Sequence, residues 1–177
     1  MKYQEELKME APRGSSDAGN TDPDYTEDEL RLGMELLLCA YRDFIAEPDA
    51  ILKEHNFGRA HHRVIHFVGR NPNITVSDLL TILKITKQSL SRVLSQLIRE
   101  GYIEQNQGQE DRRQRLLSLT KEGVSLEQRL SADQRQRISE AFLAAGPEAV
   151  EGFRNVLIRM INDQSDFKNF AQMWRRC

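Results

Sequence analysis

One stretch of the sequence, ITKQSLSRVLSQLIREG at residues 85–101, brings cationic, amide and hydroxyl side chains to one side of a helix. At about 100° per residue, this side carries Gln88, Arg92, Ser95 and Arg99, flanked by Ser89, Ser91 and Gln96. No acidic side chain interrupts it, whereas a solvated helix face usually mixes both signs of charge. Groups of these three types form hydrogen bonds with phosphates and with the edges of bases. The pattern therefore favours contact with a nucleic acid.

The opposite side of the same stretch is apolar. Its hydrophobic residues recur at i, i+3, i+4, i+7 and i+8: Leu90, Val93, Leu94, Leu97 and Ile98. This spacing predicts an amphipathic helix packed on a core. Thr86 is placed as its N-cap and Gly101 as its left-handed C-terminal cap, so both ends are marked.

The charge is unevenly distributed along the chain. The 177 residues have a formal net charge of −2, but residues 1–57, 58–121 and 122–177 carry −8, +6 and 0 respectively. The basic middle third is where we expect a polyanion to bind. The length and the 39% hydrophobic content predict one domain with a core of ordinary size.

The two cysteines, Cys39 and Cys177, are too few for a disulfide framework. We expect Cys39 to pack inside its helix, because a reactive thiol needs an accessible, electropositive site. The N-terminal residues lack the apolar core of a signal peptide, and no window approaches the length of a membrane span. These features predict a soluble cytoplasmic protein with no membrane partner.

The N-terminal third predicts a leader followed by one long helix. Residues 1–24 are rich in Pro, Gly, Ser and Asp without apolar periodicity, so we expect a disordered leader. A helix follows from Glu27 to Glu47, with Thr26 as its N-cap and Pro48 ending it. Its apolar seam, from Leu30 to Ile45, is wider than one stripe, which indicates contact with a partner subunit.

Two short helices are predicted before the basic helix, and the second of them forms a motif with it. The first runs from Arg59 to Gly69. Thr75 and Asp78 flank the start of the second in capping-box spacing, and this helix leads through Lys84 and Ile85 into the basic helix. Two short helices joined by a three-to-four-residue turn, the second with a basic outer face, form a helix-turn-helix.

After Gly101 the pattern changes to short strands. Residues 102–105 (YIEQ) and 115–119 (RLLSL) are predicted strands, and the loop between them ends in Arg112 and Arg113. A hairpin with a basic loop directly after a helix-turn-helix is a wing. Helix returns from Thr120, breaks at residues 146–147 and resumes with a further apolar stripe.

The segments TVSDLL, ITKQSLSRVLSQLIREGYIE and DRRQRLLSLTKEG resemble the MarR family of bacterial winged helix-turn-helix transcription regulators. The third repeats the family's wing signature: Asp-Arg-Arg, three residues, Leu-x-Leu-Thr, and a glycine three residues later. Two positions depart from the family pattern. Gly108 replaces an acid that is often found three residues before the Asp-Arg-Arg, and Lys84 replaces a glycine that is common in the turn.

The resemblance implies a mainly α fold with a small β-hairpin wing. It implies a single domain over residues 25–177, with the winged helix-turn-helix at 58–120 and dimerisation helices at 26–47 and 121–177. Such proteins are homodimers that bind double-stranded DNA, and most repress promoters until a small molecule or an oxidant releases them. No cofactor is implied.

The resemblance also implies a set of DNA-binding residues. Lys87, Gln88, Ser91 and Arg92 would enter the major groove, and Arg112 or Arg113 would reach the minor groove, with Asp111 orienting an arginine. The full set consists of polar and basic residues of the second helix and the wing: Lys87, Gln88, Ser89, Ser91, Arg92, Ser95, Arg112, Arg113 and Arg115.

Three alternative functions are less favoured by the sequence than this one. A metal- or haem-responsive regulator would use His61, His62 and His66, since the last two stand at i, i+4; however, the sequence offers no neighbouring ligand, and we assign no metal site. A protein-interaction module that kept only the fold would have lost its basic face. An enzyme is disfavoured because no Gly-x-Ser-x-Gly, phosphate loop or His-Glu-x-x-His motif is present.

Overall fold

The computed structural model describes residues 25–108 and 114–162. Within them the fold is mainly α with one small antiparallel sheet, as the sequence predicts. The helices are α1 (Glu27–Glu54), α2 (Arg59–Arg70), α3 (Val76–Leu83), α4 (Lys87–Arg99), α5 (Lys121–Ala145) and α6 (Pro147–Met160). The strands are β1 (Ile74–Thr75), β2 (Ile103–Gln107) and β3 (Arg115–Leu119). None of the helices in these ranges has the length and apolarity needed to cross a membrane.

The chain divides into two units between Leu37 and Leu38. In the first, the start of α1 is fixed by a reciprocal capping box. The Glu29 N–H donates to Thr26 Oγ1 at 3.3 Å, and the Thr26 N–H donates to Glu29 Oε2 at 2.8 Å. An ion pair between Arg31 and Glu27 at 2.9 Å adds an i,i+4 contact on this first part of the helix.

The second unit holds the hydrophobic core, which is built by the C-terminal end of α1, by α2, α3, α4 and α5, and by the sheet. Its fully buried side chains include Leu52, Val64, Leu79, Leu117 and Leu130. The apolar stripe of α4 behaves as its spacing predicts. Leu90, Val93, Leu94 and Leu97 are buried, and Ile98 is half-buried against the same cluster.

The sheet has three strands in the order β1-β3-β2. Strand β3 pairs antiparallel with β2 from Ile103↔Leu119 to Gln107↔Arg115, and with β1 at Ile74↔Leu117. The hairpin was predicted, but β2 extends two residues beyond the predicted strand, and the two-residue strand β1 was missed. Such a short strand is defined by its partner across the sheet, so its own sequence carries little signal.

The predicted end of the first helix at Pro48 is wrong: α1 continues through this proline to Glu54. A proline inside a helix cannot donate to the carbonyl four residues earlier, here that of Phe44. In the structure Gln134 Nε2 of α5 donates to Phe44 O at 3.1 Å instead. The carbonyl that the proline leaves free therefore has a partner from another helix, while the proline ring itself is buried.

The expectation that Cys39 packs inside its helix is also wrong, since this free cysteine is exposed. Its neighbours Leu38 and Tyr41 are exposed as well, at 66% and 51%. No described element covers this part of α1, so its apolar side chains are not buried within one chain.

Candidate nucleic-acid interface

The two helices of the helix-turn-helix are set by their caps. Thr75 Oγ1 accepts from the Asp78 N–H at 3.1 Å at the start of α3, and Thr86 Oγ1 accepts from the Ser89 N–H at 3.2 Å at the start of α4. Between them lies a turn of three residues. Lys84 in this turn has φ 49° and ψ 45°, the left-handed conformation that glycine adopts at no steric cost. The departure from the family pattern at this position therefore leaves the turn geometry intact.

A side chain from α2 supports the same turn. Arg63 Nη2 donates to the carbonyl of Leu83 at 2.9 Å, which satisfies one of the free carbonyls at the C-terminus of α3. The guanidinium also places positive charge at the negative end of the helix dipole. Sequence reasoning missed this contact, because 20 residues separate its partners.

The structure brings the predicted residues of α4 together on one exposed surface: Lys87, Gln88, Ser89, Ser91, Arg92 and Ser95. Neither Lys87 nor Arg92 forms a hydrogen bond or ion pair with any described residue, so both cations are free to meet a ligand. The Ser89 hydroxyl accepts from Thr86 Oγ1 at 2.9 Å, so Ser89 also takes part in the cap. Arg99 at the far end is paired with Glu100 at 3.3 Å.

The wing extends from the end of α4. Strands β2 and β3 are in register as far as Gln107↔Arg115, and the Gly108 N–H donates to Gln114 O at 3.1 Å just beyond. Arg115 is exposed on this hairpin. The predicted residues Asp111, Arg112 and Arg113 lie outside the described residues.

The base of the wing is joined tightly to α4 and α5. Thr120, the N-cap of α5, donates through Oγ1 to Gly101 O at 2.6 Å, and its N–H donates to Tyr102 O at 3.1 Å. Gly123 follows one turn later, and a Cβ on it would lie 2.0 Å from Tyr102 O. The threonine and glycine of the wing signature are thus positions where the backbone of α5 touches the backbone before β2.

The histidines have structural surroundings. His61 contacts Gly58 and Gln96, and His66 Nδ1 lies 3.7 Å from Glu127 Oε1. Burial lowers the pKa of both His62 and His66, although Glu127 acts in the opposite direction on each. In the described ranges no three His, Cys, Asp or Glu side chains are grouped so as to hold a metal. The metal-responsive alternative therefore gains no support.

A cleft of about 790 Å³ opens between α1, α2, α5 and α6. Its walls are mainly apolar and aromatic, with Phe44 and Phe142 among them. The ionisable groups that line it are His66, Arg135 and Arg154, and within residues 25–108 and 114–162 no acidic side chain lines it. A pocket of this size with a few polar groups in an apolar wall is typical of a small-molecule site.

Comparison with known proteins decides the family. A family model described as MarR family matches residues 55–114. The HTH-type transcriptional regulator PetP of Rhodobacter capsulatus is 51% identical over 137 residues, which cover 77% of this chain and 82% of that protein. The chain belongs to the MarR family. As a MarR protein it is a DNA-binding transcription regulator and not an enzyme.

Two further similar proteins illustrate the range of similarity. The homoprotocatechuate degradative operon repressor of Escherichia coli is 29% identical over 92 residues, covering 52% of this chain and 60% of that protein. The crystal structure of Streptococcus pneumoniae FabT in complex with DNA matches with a TM-score of 0.65 at 20% identity, over 74% of this chain and 94% of that one. At such low identity the structural match shows the MarR fold alone.

Proposed function

We propose that this MarR-family protein is a homodimeric repressor that binds double-stranded DNA through α4 and the wing and is released by a small molecule. The observation that carries the proposal is the exposed, acid-free surface of α4, on which Lys87 and Arg92 have no partner among the described residues. The similarity to FabT, whose structure contains DNA, and to the homoprotocatechuate repressor supports the same role.

The proposed contacts follow from the geometry of the elements. Helix α4 enters the major groove, where Gln88 and Arg92 read base edges while Lys87, Ser89, Ser91 and Ser95 contact bases or phosphates. Arginine binds the two acceptors of guanine with two hydrogen bonds, so Arg92 is the main candidate for base reading. The wing contributes Arg115 and two further arginines, of which one, Arg112 or Arg113, reaches the minor groove.

Dimerisation is supported by apolar side chains that the single chain leaves in solvent. Leu30 and Met34 of α1 are 53% and 65% exposed, and Leu143 of α5 and Val156 of α6 are 82% and 56% exposed. Exposed apolar residues in such numbers mark an interaction surface. We therefore assign α1 and residues 121–177 to a dimer interface, within one MarR-type domain from residue 25 to 177. The protein acts in the cytoplasm, where its DNA lies.

The cleft supports release by a small molecule. It is bordered by α2, which belongs to the DNA-binding lobe, and by α5 and α6, which belong to the proposed interface. A ligand that fits the cleft better in one arrangement of these helices shifts the protein toward that arrangement. Binding in the cleft and binding to DNA then affect each other reciprocally.

The test begins with selection of a preferred duplex from a random library of roughly 30 bp by the 177-residue protein. Fluorescence anisotropy then measures the affinity for the selected duplex. Arg92→Ala is expected to weaken binding by about 1 to 3 kcal/mol, mostly by losing preference at one base pair. The matched control is Arg70→Ala, an exposed arginine at the C-terminal end of α2 that the proposal assigns neither to DNA contact nor to the dimer interface. Equal losses in both variants would refute base reading by α4.

Assembly is measured separately by analytical ultracentrifugation. The wild-type protein is expected to sediment as a dimer at micromolar concentration. A monomer under these conditions contradicts the dimeric part of the proposal, since reading two half-sites with one dimer requires the interface.

A further inference from the structure

A side-chain hydrogen bond connects α4 to α2. His61 Nε2 and Gln96 Oε1 are 3.0 Å apart, although the two residues are 35 positions apart in the sequence, and the bond is partly buried. Gln96 lies one helical turn after Arg92, on the edge of the exposed polar surface. A contact at this position restricts the rotation of α4 about its own axis.

The direction of the bond follows from the other side of the His61 ring. His61 Nδ1 accepts from the Gly58 N–H at 3.1 Å, so this nitrogen carries no proton. The proton of the neutral imidazole is therefore on Nε2, which donates to Gln96 Oε1. His61 is the third residue of α2, and its hydrogen bond with the N–H of the N-cap residue Gly58 forms one half of a capping box. Both ring nitrogens thus have fixed partners.

Aromatic packing holds the His61 ring in place. The Phe57 ring is nearly parallel to it, with centroids 4.7 Å apart and 9° between the planes. The Tyr102 ring packs edge-on against Phe57 at 5.4 Å, and the Tyr102 hydroxyl bonds to His55 Nδ1 at 3.0 Å. Tyr102 immediately precedes β2, so the residues that orient His61 also contact the base of the wing.

We propose that His61 is a positioning residue for DNA recognition: through Gln96 it sets the rotation of α4 so that the surface around Arg92 faces the groove. His61 itself does not touch DNA, and Gln96 acts by holding the helix instead of reading a base. The inference rests on the proposed function, in which α4 contacts DNA. Base reading requires binding groups to be held within about 0.5 Å of their productive positions, and supporting contacts provide this precision.

Two amide substitutions separate the cap from the bridge. The amide of asparagine branches from Cγ, as Nδ1 of histidine does, so His61→Asn keeps an acceptor for the Gly58 N–H and loses the donor to Gln96. The amide of glutamine lies one bond further out, near the position of Nε2, so His61→Gln keeps the donor and loses the cap acceptor. Gln96→Ala removes the bridge from the side of α4.

The measured quantity is the affinity ratio between the duplex selected by the wild-type protein and a scrambled duplex of the same composition. His61→Asn and Gln96→Ala are each expected to lower this ratio about 10-fold, the usual size of coupling between contacting residues. The double variant should lose no more than either single one, and His61→Gln should stay close to wild type. Thermal melts establish that each variant is folded at the assay temperature.

Three results would overturn the proposal. Unchanged ratios in folded Gln96→Ala would show that the bridge does not position α4. Additive losses in the double variant would assign Gln96 a direct contact with DNA. A loss in His61→Gln as large as in His61→Asn would assign the effect to the cap. If the wild-type protein itself prefers no duplex, the proposed function fails. If the wild-type protein is selective and its His61 variants are equally selective, only the positioning role fails.

Discussion

Gly123→Ala is the substitution for which the structure predicts the sharpest effect on stability. A Cβ at this position would lie 2.0 Å from Tyr102 O, 3.0 Å from Tyr102 C and 3.2 Å from Leu119 Cβ. The nearest atoms belong to backbone, so they cannot swing aside as the end of a flexible side chain can. Relief of the clash requires α5 and the segment before β2 to separate by about 1 Å, given an ordinary contact distance of roughly 3 Å or more.

The expected cost has two unfavourable parts and one favourable part. Separation would weaken both hydrogen bonds of Thr120, to Gly101 O and to Tyr102 O, each worth about 0.5 to 1.5 kcal/mol. Overpacking adds about 1 to 3 kcal/mol. The higher helix propensity of alanine returns up to about 1 kcal/mol. The net prediction is a loss of about 2 to 4 kcal/mol in the free energy of unfolding.

Urea denaturation followed by circular dichroism measures this loss, with all samples at one protein concentration because dimerisation would couple stability to concentration. The chain offers a matched control in Gly152→Ala. Gly152 also lies inside a helix, but a Cβ there would meet no atom within 4 Å. The control is expected to gain up to about 1 kcal/mol. Similar shifts in both variants would show that helix propensity, and not the contact with Tyr102, governs position 123.

Three further outcomes are expected. Lys84→Gly should raise the free energy of unfolding by up to about 1 kcal/mol in urea titrations, since the left-handed conformation strains lysine and not glycine; a loss would mean that the lysine side chain matters more than its backbone. Gln134→Leu should cost about 1 to 3 kcal/mol by leaving the carbonyl of Phe44 without a donor, and an unchanged urea midpoint would contradict this. Burial places the pKa of His62 and His66 below the ordinary value of 6.5, so protonation opposes folding. Stability should be full above about pH 7 and fall as the pH drops toward 5; the His62→Gln/His66→Gln variant should show a shallower fall, and parallel pH profiles would refute the assignment.

Much of the lobe was predictable because its signals are local. The stripe from Leu90 to Leu97 has the period of a helix, and Thr86 needs only the N–H of a residue three positions away to act as a cap. The wing was predictable for a similar reason: a hairpin pairs segments separated by one short loop. In these elements the chain's own spacing and hydrogen bonds decide the structure.

The parts that were missed depend on partners distant in sequence. The continuation of α1 through Pro48 depends on Gln134, 90 residues after the carbonyl to which it bonds. The position of His61 beside Gln96 follows from how α2 packs on α4, which no periodicity encodes. Sequence spacing made the histidines resemble a metal site, whereas their actual partners are a backbone amide, a glutamine and a glutamate on three different segments.

The segments that carry the family resemblance contain residues that stabilise the fold as well as residues proposed to contact DNA. Leu117, Thr120 and Gly123 of the wing signature lie where β3 and α5 meet their neighbours, and their roles are burial, capping and close backbone approach. Such roles fix the fold and admit few other residue types. Gln88 and Arg92 are exposed on α4, where many residue types are compatible with the helix. Exchanging these two for other polar residues should therefore change which duplex is selected, while the free energy of unfolding from urea titrations stays within about 0.5 kcal/mol of wild type. A large loss of stability would show that the exposed surface of α4 also serves the fold.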